Sequence, residues 1–414
     1  MTNHRVLVLS LIFPPDGVSS AQLLGEIAED LSVGKMEVEV VTTQPHYNVD
    51  ESARNAQPIE WDWHRLTGRS VFKGIPVVHL RMPQKSGGSA GRIAQWLWFH
   101  VGSLLIIAKR RGKYDSILTI SPPPTVAIVG GLAAKLTKAR LVFCVWELYP
   151  EILVAMDVVK RGSGLHHALR LIERLTYQLA DVIAVLQDPM AAGIAKEFPK
   201  YAHKLKTVPT FADVDFLKPV NRETKLRLET GFLTEQILFG YAGNLGASED
   251  LKPVLEVASE LGAHGFLICG DGTDRESLES NSAGQQNVHF TGQLPYERVP
   301  EIIGSCDVAL VVLSPGVGHE ALPSKVYRTM ACGRPILAIC DAGTPLAELV
   351  QAEEIGLVAD PTDIGAIFDA ATELAENENM RKEMALRARS LAVERFSRSA
   401  VTETYRSLLT GVNA

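Results

Sequence analysis

The stretch Gly318 to Gly333, GHEALPSKVYRTMACG, runs from a glycine-bearing loop into the start of a helix that carries a cation. Gly316 and Gly318 leave room for a ligand to approach the backbone, Pro323 and Ser324 predict a turn and an N-cap, and Lys325 falls in the first helical turn. Unpaired N–H groups, the positive end of the helix dipole and an ammonium would then face one anion, and a diphosphate suits all three. The same residues also fit an ordinary capped helix with a solvated lysine, so the surroundings decide.

The elements that must position this stretch are short β-branched runs alternating with helix-period segments, the pattern of parallel sheets covered by helices. Strands are predicted at 6–10, 38–42, 116–120, 141–145 and 182–186, and in a second series at 237–241, 266–269, 288–291, 308–313 and 336–339. The expected fold class is α/β, with two Rossmann-like doubly wound parallel-sheet domains facing each other. Prolines and short polar residues in TVPTFADVDFLKPVNRET break both periodicities, which places a linker near 218–224. The domains are therefore expected at 1–217 and 218–396, with a helix in 397–414 that either packs back on the first domain or stays with the second. Glycines stand where strands give way to helices: Gly17 in FPPDGVSS, Gly243 in AGNLGASED, Gly270 and Gly272 in CGDGTDRE. Such turns suit main-chain contact with phosphate or sugar.

At 414 residues, with a hydrophobic fraction of 46% and a charged fraction of 21%, the chain suits two soluble domains. A formal net charge of −7 argues against general nucleic-acid binding, which needs a broad basic face. Five cysteines without a CxxC pair point to buried thiols, no disulfide and no structural zinc. The apolar run near the N-terminus has no small-residue cleavage site and reads as a first buried strand, so a cytoplasmic protein is expected.

FPPDG, YAGNLG, CGDG, VHFTGQLP and PSKVYRTMACGRP, together with SPPPT at 121–125 and ELYPE at 147–151, resemble the retaining glycosyltransferases of family 4, which have the GT-B architecture. Within them the chain is similar to bacterial capsule, colanic-acid and O-antigen sugar transferases. The resemblance implies a UDP- or GDP-sugar donor held mainly by the second domain, a glycan or polyprenyl-linked acceptor held by the first, and no metal cofactor. It places Gly17, Gly243, Asn244, Gly270, Gly272, Gln293, Leu294, Ser324 and Lys325 at the donor. Two family cations are replaced, by Asn244 and Asp250, and Lys325 is expected to take over their task. Of the family's paired glutamates, Glu320 matches the first and Arg328 stands in place of the second. Glu147, after a predicted strand, and Glu320 are the expected polar residues at the reacting centre, neither of them assigned as a base.

Asp213 and Asp215 form a D-x-D of the kind that holds a metal elsewhere, but they sit in a turn before the linker, and metal dependence is not expected. GDGTDR lacks the third glycine of the dinucleotide fingerprint. In residues 92–113, Trp96, Trp98 and Phe99 precede Lys109, Arg110, Arg111 and Lys113, a combination that suits the inner face of an anionic membrane as well as a buried helix. An epimerase or hydrolase on the same architecture, or a silent nucleotide-sugar-binding subunit, is the alternative to sugar transfer.

Overall fold

The computed structural model describes residues 3–46, 55–83, 89–109, 114–155, 158–319 and 322–412. The chain forms two units, Met1–Pro209 with Thr402–Ala414, and Thr210–Val401.

The first unit is built on nine strands: β1 (Arg5–Leu9), β2 (Glu37–Thr43), β3 (Glu60–Trp61), β4 (Thr67–Phe72), β5 (Ile75–Leu80), β6 (Ser116–Ile120), β7 (Arg140–Val145), β8 (Val182–Val185) and β9 (Leu205–Thr207). Their order is β3-β4-β5-β2-β1-β6-β7-β8-β9, with β4 antiparallel to its neighbours β3 and β5 and every other pair parallel. Strands β6 and β8 are buried at every residue, which is why they read as unbroken runs rather than as alternation. The β4–β5 hairpin was not expected. It turns on Lys73 and Gly74, both at positive φ (47° and 84°), as a two-residue hairpin loop requires. The C-terminal helix Arg398–Thr410 brings its later residues to this unit: Ser116 Oγ donates to the Leu409 carbonyl at 2.8 Å and Arg140 Nε to that of Leu408 at 2.9 Å.

The second unit holds six parallel strands, β10 (Leu238–Ala242), β11 (Gly265–Cys269), β12 (Val288–Gly292), β13 (Val308–Val312), β14 (Ile336–Ile339) and β15 (Gly356–Ala359), in the order β12-β11-β10-β13-β14-β15. The chain lays β11 and β12 on one side of β10 and β13 onward on the other, so the topology switches between β10 and β13.

The division between the units falls at 209/210, ahead of the expected 217/218, because residues 210–217 are already tied to the second unit. The Ala212 N–H donates to the Phe396 carbonyl at 2.9 Å, and Arg389 donates to the carbonyls of Val214 and Leu217 at 3.1 and 2.9 Å. Leu217 itself is buried with Tyr327 and Met330. The five cysteines are buried free thiols, and burial pushes Cys269 up to about 11 and Cys144 and Cys332 to about 12.

Candidate active site

A cavity of about 400 Å³ opens in the second unit at the carboxyl ends of β10, β11 and β12. It gathers Gly243, Asn244, Gly270, Gln293, Leu294 and Lys325, residues that lie up to 82 positions apart in the sequence (243 to 325). Tyr241, Asp271, Arg328 and Thr329, none of them among the residues expected to hold the donor, join them in the wall.

Lys325 is the focus of this wall. Its Nζ lies 2.5 Å from Glu249 Oε1, donates to the Tyr241 hydroxyl at 3.0 Å, and stands 4.5 Å from the centre of the Tyr241 ring. The Tyr241 hydroxyl in turn donates to the Asn244 carbonyl at 2.6 Å and lies 3.0 Å from Glu249 Oε2. Burial lowers the Lys325 pKa; Glu249 opposes that shift and nearby Arg328 adds to it. Burial also raises the Tyr241 hydroxyl, with Glu249 as the second cause.

Glycine is needed here for space. A Cβ at Gly243 would come within 2.9 Å of Lys325 Nζ and 3.0 Å of the Tyr241 hydroxyl, and one at Gly270 within 1.8 Å of the Gly243 carbonyl oxygen. At three of these glycines the N–H is already engaged within the chain. Gly243 N–H donates to the Cys269 carbonyl, Gly270 N–H to the Gly292 carbonyl, and Gly272 N–H to Asp271 Oδ1. The first two continue the strand ladder, which leaves those N–H groups already paired.

Ser324 occupies the N-cap position of the helix Lys325–Ala331, but its backbone is helical and its side chain makes no capping bond. That helix has seven residues, so the ammonium rather than a long dipole is the main positive element. Gly272 and Ser324 do not line the cavity. Glu320 lies outside the described residues; the loop before it is held by Asp341 Oδ2, which accepts from the Gly316 N–H at 2.6 Å and lies 3.3 Å from His319 Nε2. Asp250 is turned to local structure, accepting from the Lys252 N–H at 3.1 Å. Asp213 Oδ1 accepts from the Asp215 and Phe216 N–H groups at 3.0 Å each, the task of a turn residue. Among the described residues no group of three or more His, Cys, Asp or Glu side chains is placed to hold a metal ion.

In the first unit, Gly17 is exposed in the turn after β1. Glu147 follows β7, where its Oε2 accepts from the Tyr149 hydroxyl at 2.8 Å. Ser121 Oγ accepts from the Trp146 and Glu147 N–H groups at 3.1 and 3.3 Å, so SPPPT and ELYPE meet at adjacent strand ends. Glu151 is engaged by Arg170, which also binds Glu173 at 2.8 Å and Glu197 at 2.7 Å.

Two family models match the chain: one described as glycosyl transferases group 1 over residues 222–391, the other as a glycosyl transferase 4-like domain over residues 20–210. The chain belongs to the GT-B glycosyltransferases of family 4. This glycosyltransferase is 24% identical over 380 residues to the putative colanic acid biosynthesis glycosyl transferase WcaI of Escherichia coli, covering 88% of this chain and 90% of that one. It is 28% identical over 276 residues to the probable glycosyltransferase WbjE of Pseudomonas aeruginosa, covering 65% and 68%. The structure of Anabaena HepE in complex with UDP matches its fold with a TM-score of 0.70 at 15% identity, over 99% of this chain and 100% of that one. In the glycosyltransferase, the alternation of strands and the glycines at strand ends were readable from sequence, whereas Glu249 and Tyr241 carry no local signal and appear only once the loops after β10 and β13 are folded together.

Proposed function

We propose that this glycosyltransferase moves a hexose from a UDP- or GDP-linked donor to a glycan or polyprenyl-linked acceptor in cell-surface polysaccharide synthesis, with retention and without a metal cofactor. The single observation that carries the reading is the Lys325 ammonium, held by Glu249 and Tyr241 in the wall of the cavity beside Gly243. An ammonium there suits the negative charge that grows on a nucleoside diphosphate as the bond from sugar C1 to phosphate oxygen breaks. Arg328, three residues on along the same helical face, supplies a second cation in place of the family's second glutamate. Gly243 provides the room, and Gln293 and Leu294 offer a polar and an apolar contact to the rest of the donor. The acceptor hydroxyl oxygen forms its bond to C1 on the face the diphosphate leaves, and its proton passes to the departing phosphate oxygen. Glu147 is the candidate polar contact to the acceptor.

The biological setting rests on relatives: WcaI is named for colanic acid biosynthesis, and WaaG, described as a glycosyltransferase involved in lipopolysaccharide biosynthesis, matches the fold with a TM-score of 0.65 at 16% identity, covering 98% of this chain and 100% of that one. A lipid-linked acceptor would keep the enzyme at the inner face of the membrane as a peripheral protein, with the helix Ser89–Ala108 against the lipid. The described residues contain no helix long and apolar enough to cross a membrane. Arg110, Arg111 and Lys113, expected to assist, lie outside the described residues.

The test is to incubate the enzyme with UDP- and GDP-hexoses and polyprenyl diphosphate-sugar acceptors, then read the product by NMR. A product whose anomeric configuration equals the donor's is expected. Free sugar, an epimerised nucleotide sugar, or donor binding with no product across the panel would overturn the reading.

A further inference from the structure

The helix Ser89–Ala108 is apolar on two opposite faces. Phe99 and Ile107, with the small Ser103 between them, are fully buried on the side facing the first unit's sheet, while Leu97, Val101 and Leu105, spaced by four, are exposed. Apolar side chains on the face turned away from the core have a second apolar environment to satisfy. Its neighbour Val126–Thr137 packs against it, joined by a 2.6 Å contact between His100 Nε2 and Thr125 Oγ1 at the near end, and exposes Leu132 and Leu136. The helix Gly164–Leu179 packs on that neighbour and exposes Leu171 and Leu175. These seven side chains are between 39% and 67% exposed, and they lie on helices packed side by side.

Charge distinguishes this layer from the rest of the surface. The whole chain carries 48 acidic residues against 41 Lys and Arg. Yet the three helices hold one carboxylate between them, Glu173, and it is buried and paired with Arg170. The exposed charges on them and one residue beyond their C-terminal ends are cations, Lys109, Lys135, Lys138 and Arg174; one exposed acid, Asp181, lies two residues past Leu179, where its Oδ2 accepts from the Leu141 N–H at 2.7 Å. A face of leucines and cations on helices that themselves carry no exposed acid, in a chain of net negative charge, is complementary to a surface that is itself apolar and anionic.

We propose that the outer faces of these three helices together form an interfacial docking surface for anionic phospholipid, with the leucines entering the acyl boundary and the four cations meeting headgroup phosphates. This deepens the peripheral location proposed above, on which it rests, by assigning the contact to a three-helix face rather than to one helix. It requires neither donor nor sugar transfer, so its failure is separable from failure of the catalytic reading.

Flotation of the full chain with vesicles of phosphatidylglycerol and phosphatidylcholine, and with phosphatidylcholine alone, tests it. The wild type should float with the anionic vesicles and far less with the neutral ones, and added salt should weaken binding. Two variant sets probe the extent of the face: Leu97→Gln with Val101→Gln and Leu105→Gln, and Leu132→Gln with Leu171→Gln and Leu175→Gln. Each set should lower partitioning at least about tenfold while the melting temperature and UDP binding stay as in the wild type. Replacing the four cations by glutamine should remove the preference for anionic vesicles. No flotation at low salt, or loss confined to the first set, would overturn the proposal. So would a concentration-dependent dimer that both sets dissolve while vesicles remain unbound, since that outcome assigns the face to a second copy of the chain.

Discussion

Lys325 and Glu249 form an ion pair with 2.5 Å between Nζ and Oε1, in which the two side chains are only 15% and 13% exposed. Lys325 lines the cavity and Glu249 holds its ammonium beside Gly243, so the pair's chemistry is coupled both to folding and to the proposed donor phosphate.

Removal of the lysine alone leaves Glu249 with its charge shielded from water and unmatched. Lys325→Met should therefore destabilise the protein by about 1–3 kcal/mol. The double variant Lys325→Met with Glu249→Gln should recover most of that loss, because no buried charge is then left over. Urea unfolding of the four members of the cycle measures it; an unrecovered double variant would mean that the ion pair is not what stabilises this wall.

Glu249→Gln keeps an oxygen that accepts hydrogen bonds and deletes the charge that competes with an incoming diphosphate for Lys325. Affinity for a nucleoside diphosphate should rise by roughly threefold to tenfold, the effect of about 1 kcal/mol of relieved repulsion. Calorimetric titration at low salt gives the sign directly. A tenfold loss would instead show that the carboxylate's charge is needed to orient the ammonium.

The two cavity glycines should behave differently when given a methyl group. At Gly270 the new carbon meets the Gly243 carbonyl at 1.8 Å, backbone against backbone, and Gly270→Ala should cost about 2–4 kcal/mol of stability. At Gly243 the nearest atoms are the mobile end of Lys325 and the Tyr241 hydroxyl, at 2.9 and 3.0 Å. Gly243→Ala should thus melt close to the wild type but bind nucleotide about tenfold more weakly, by displacing the ammonium. Melting curves and binding isotherms of both variants separate a steric from a functional role.

His100, set between the helices Ser89–Ala108 and Val126–Thr137, has its pKa lowered by burial to about 4. The folded state then binds fewer protons than the unfolded chain between pH 4 and pH 6.5, so stability rises with pH across that window. The contribution of the neutral imidazole is complete above about pH 6.5 and is lost as the pH falls towards 4. His100→Asn should flatten that part of the pH–stability profile; an unchanged slope would show that His100 is not its source.

Much of the architecture was legible because buried parallel strands announce themselves as apolar runs: each of the ten expected strands is present to within about a residue of its expected ends. Strands β4 and β5 escaped because Lys73-Gly74 is a weak turn signal and Pro76 interrupts the second strand. β3 and β9 escaped because two and three residues are too few for a period, and β15, GLVA, because only two of its residues are large and apolar. At the site, glycine, asparagine and lysine could be selected by type. Their mode of action could not, since the Gly243 and Gly270 N–H groups are spent on neighbouring strands and Lys325 is fixed by residues 76 and 84 positions away. Partnerships at such separation leave no local pattern to read.

Donor recognition through Lys325 is tested most directly by titrating UDP, GDP and ADP, each beside its monophosphate, into the wild type and Lys325→Ala by isothermal calorimetry. At least one diphosphate should bind the wild type about tenfold or more tightly than its monophosphate, and the substitution should close that gap while leaving the monophosphate nearly unaffected. An undiminished gap in the variant, or no nucleotide binding at all to the wild type, would contradict the account.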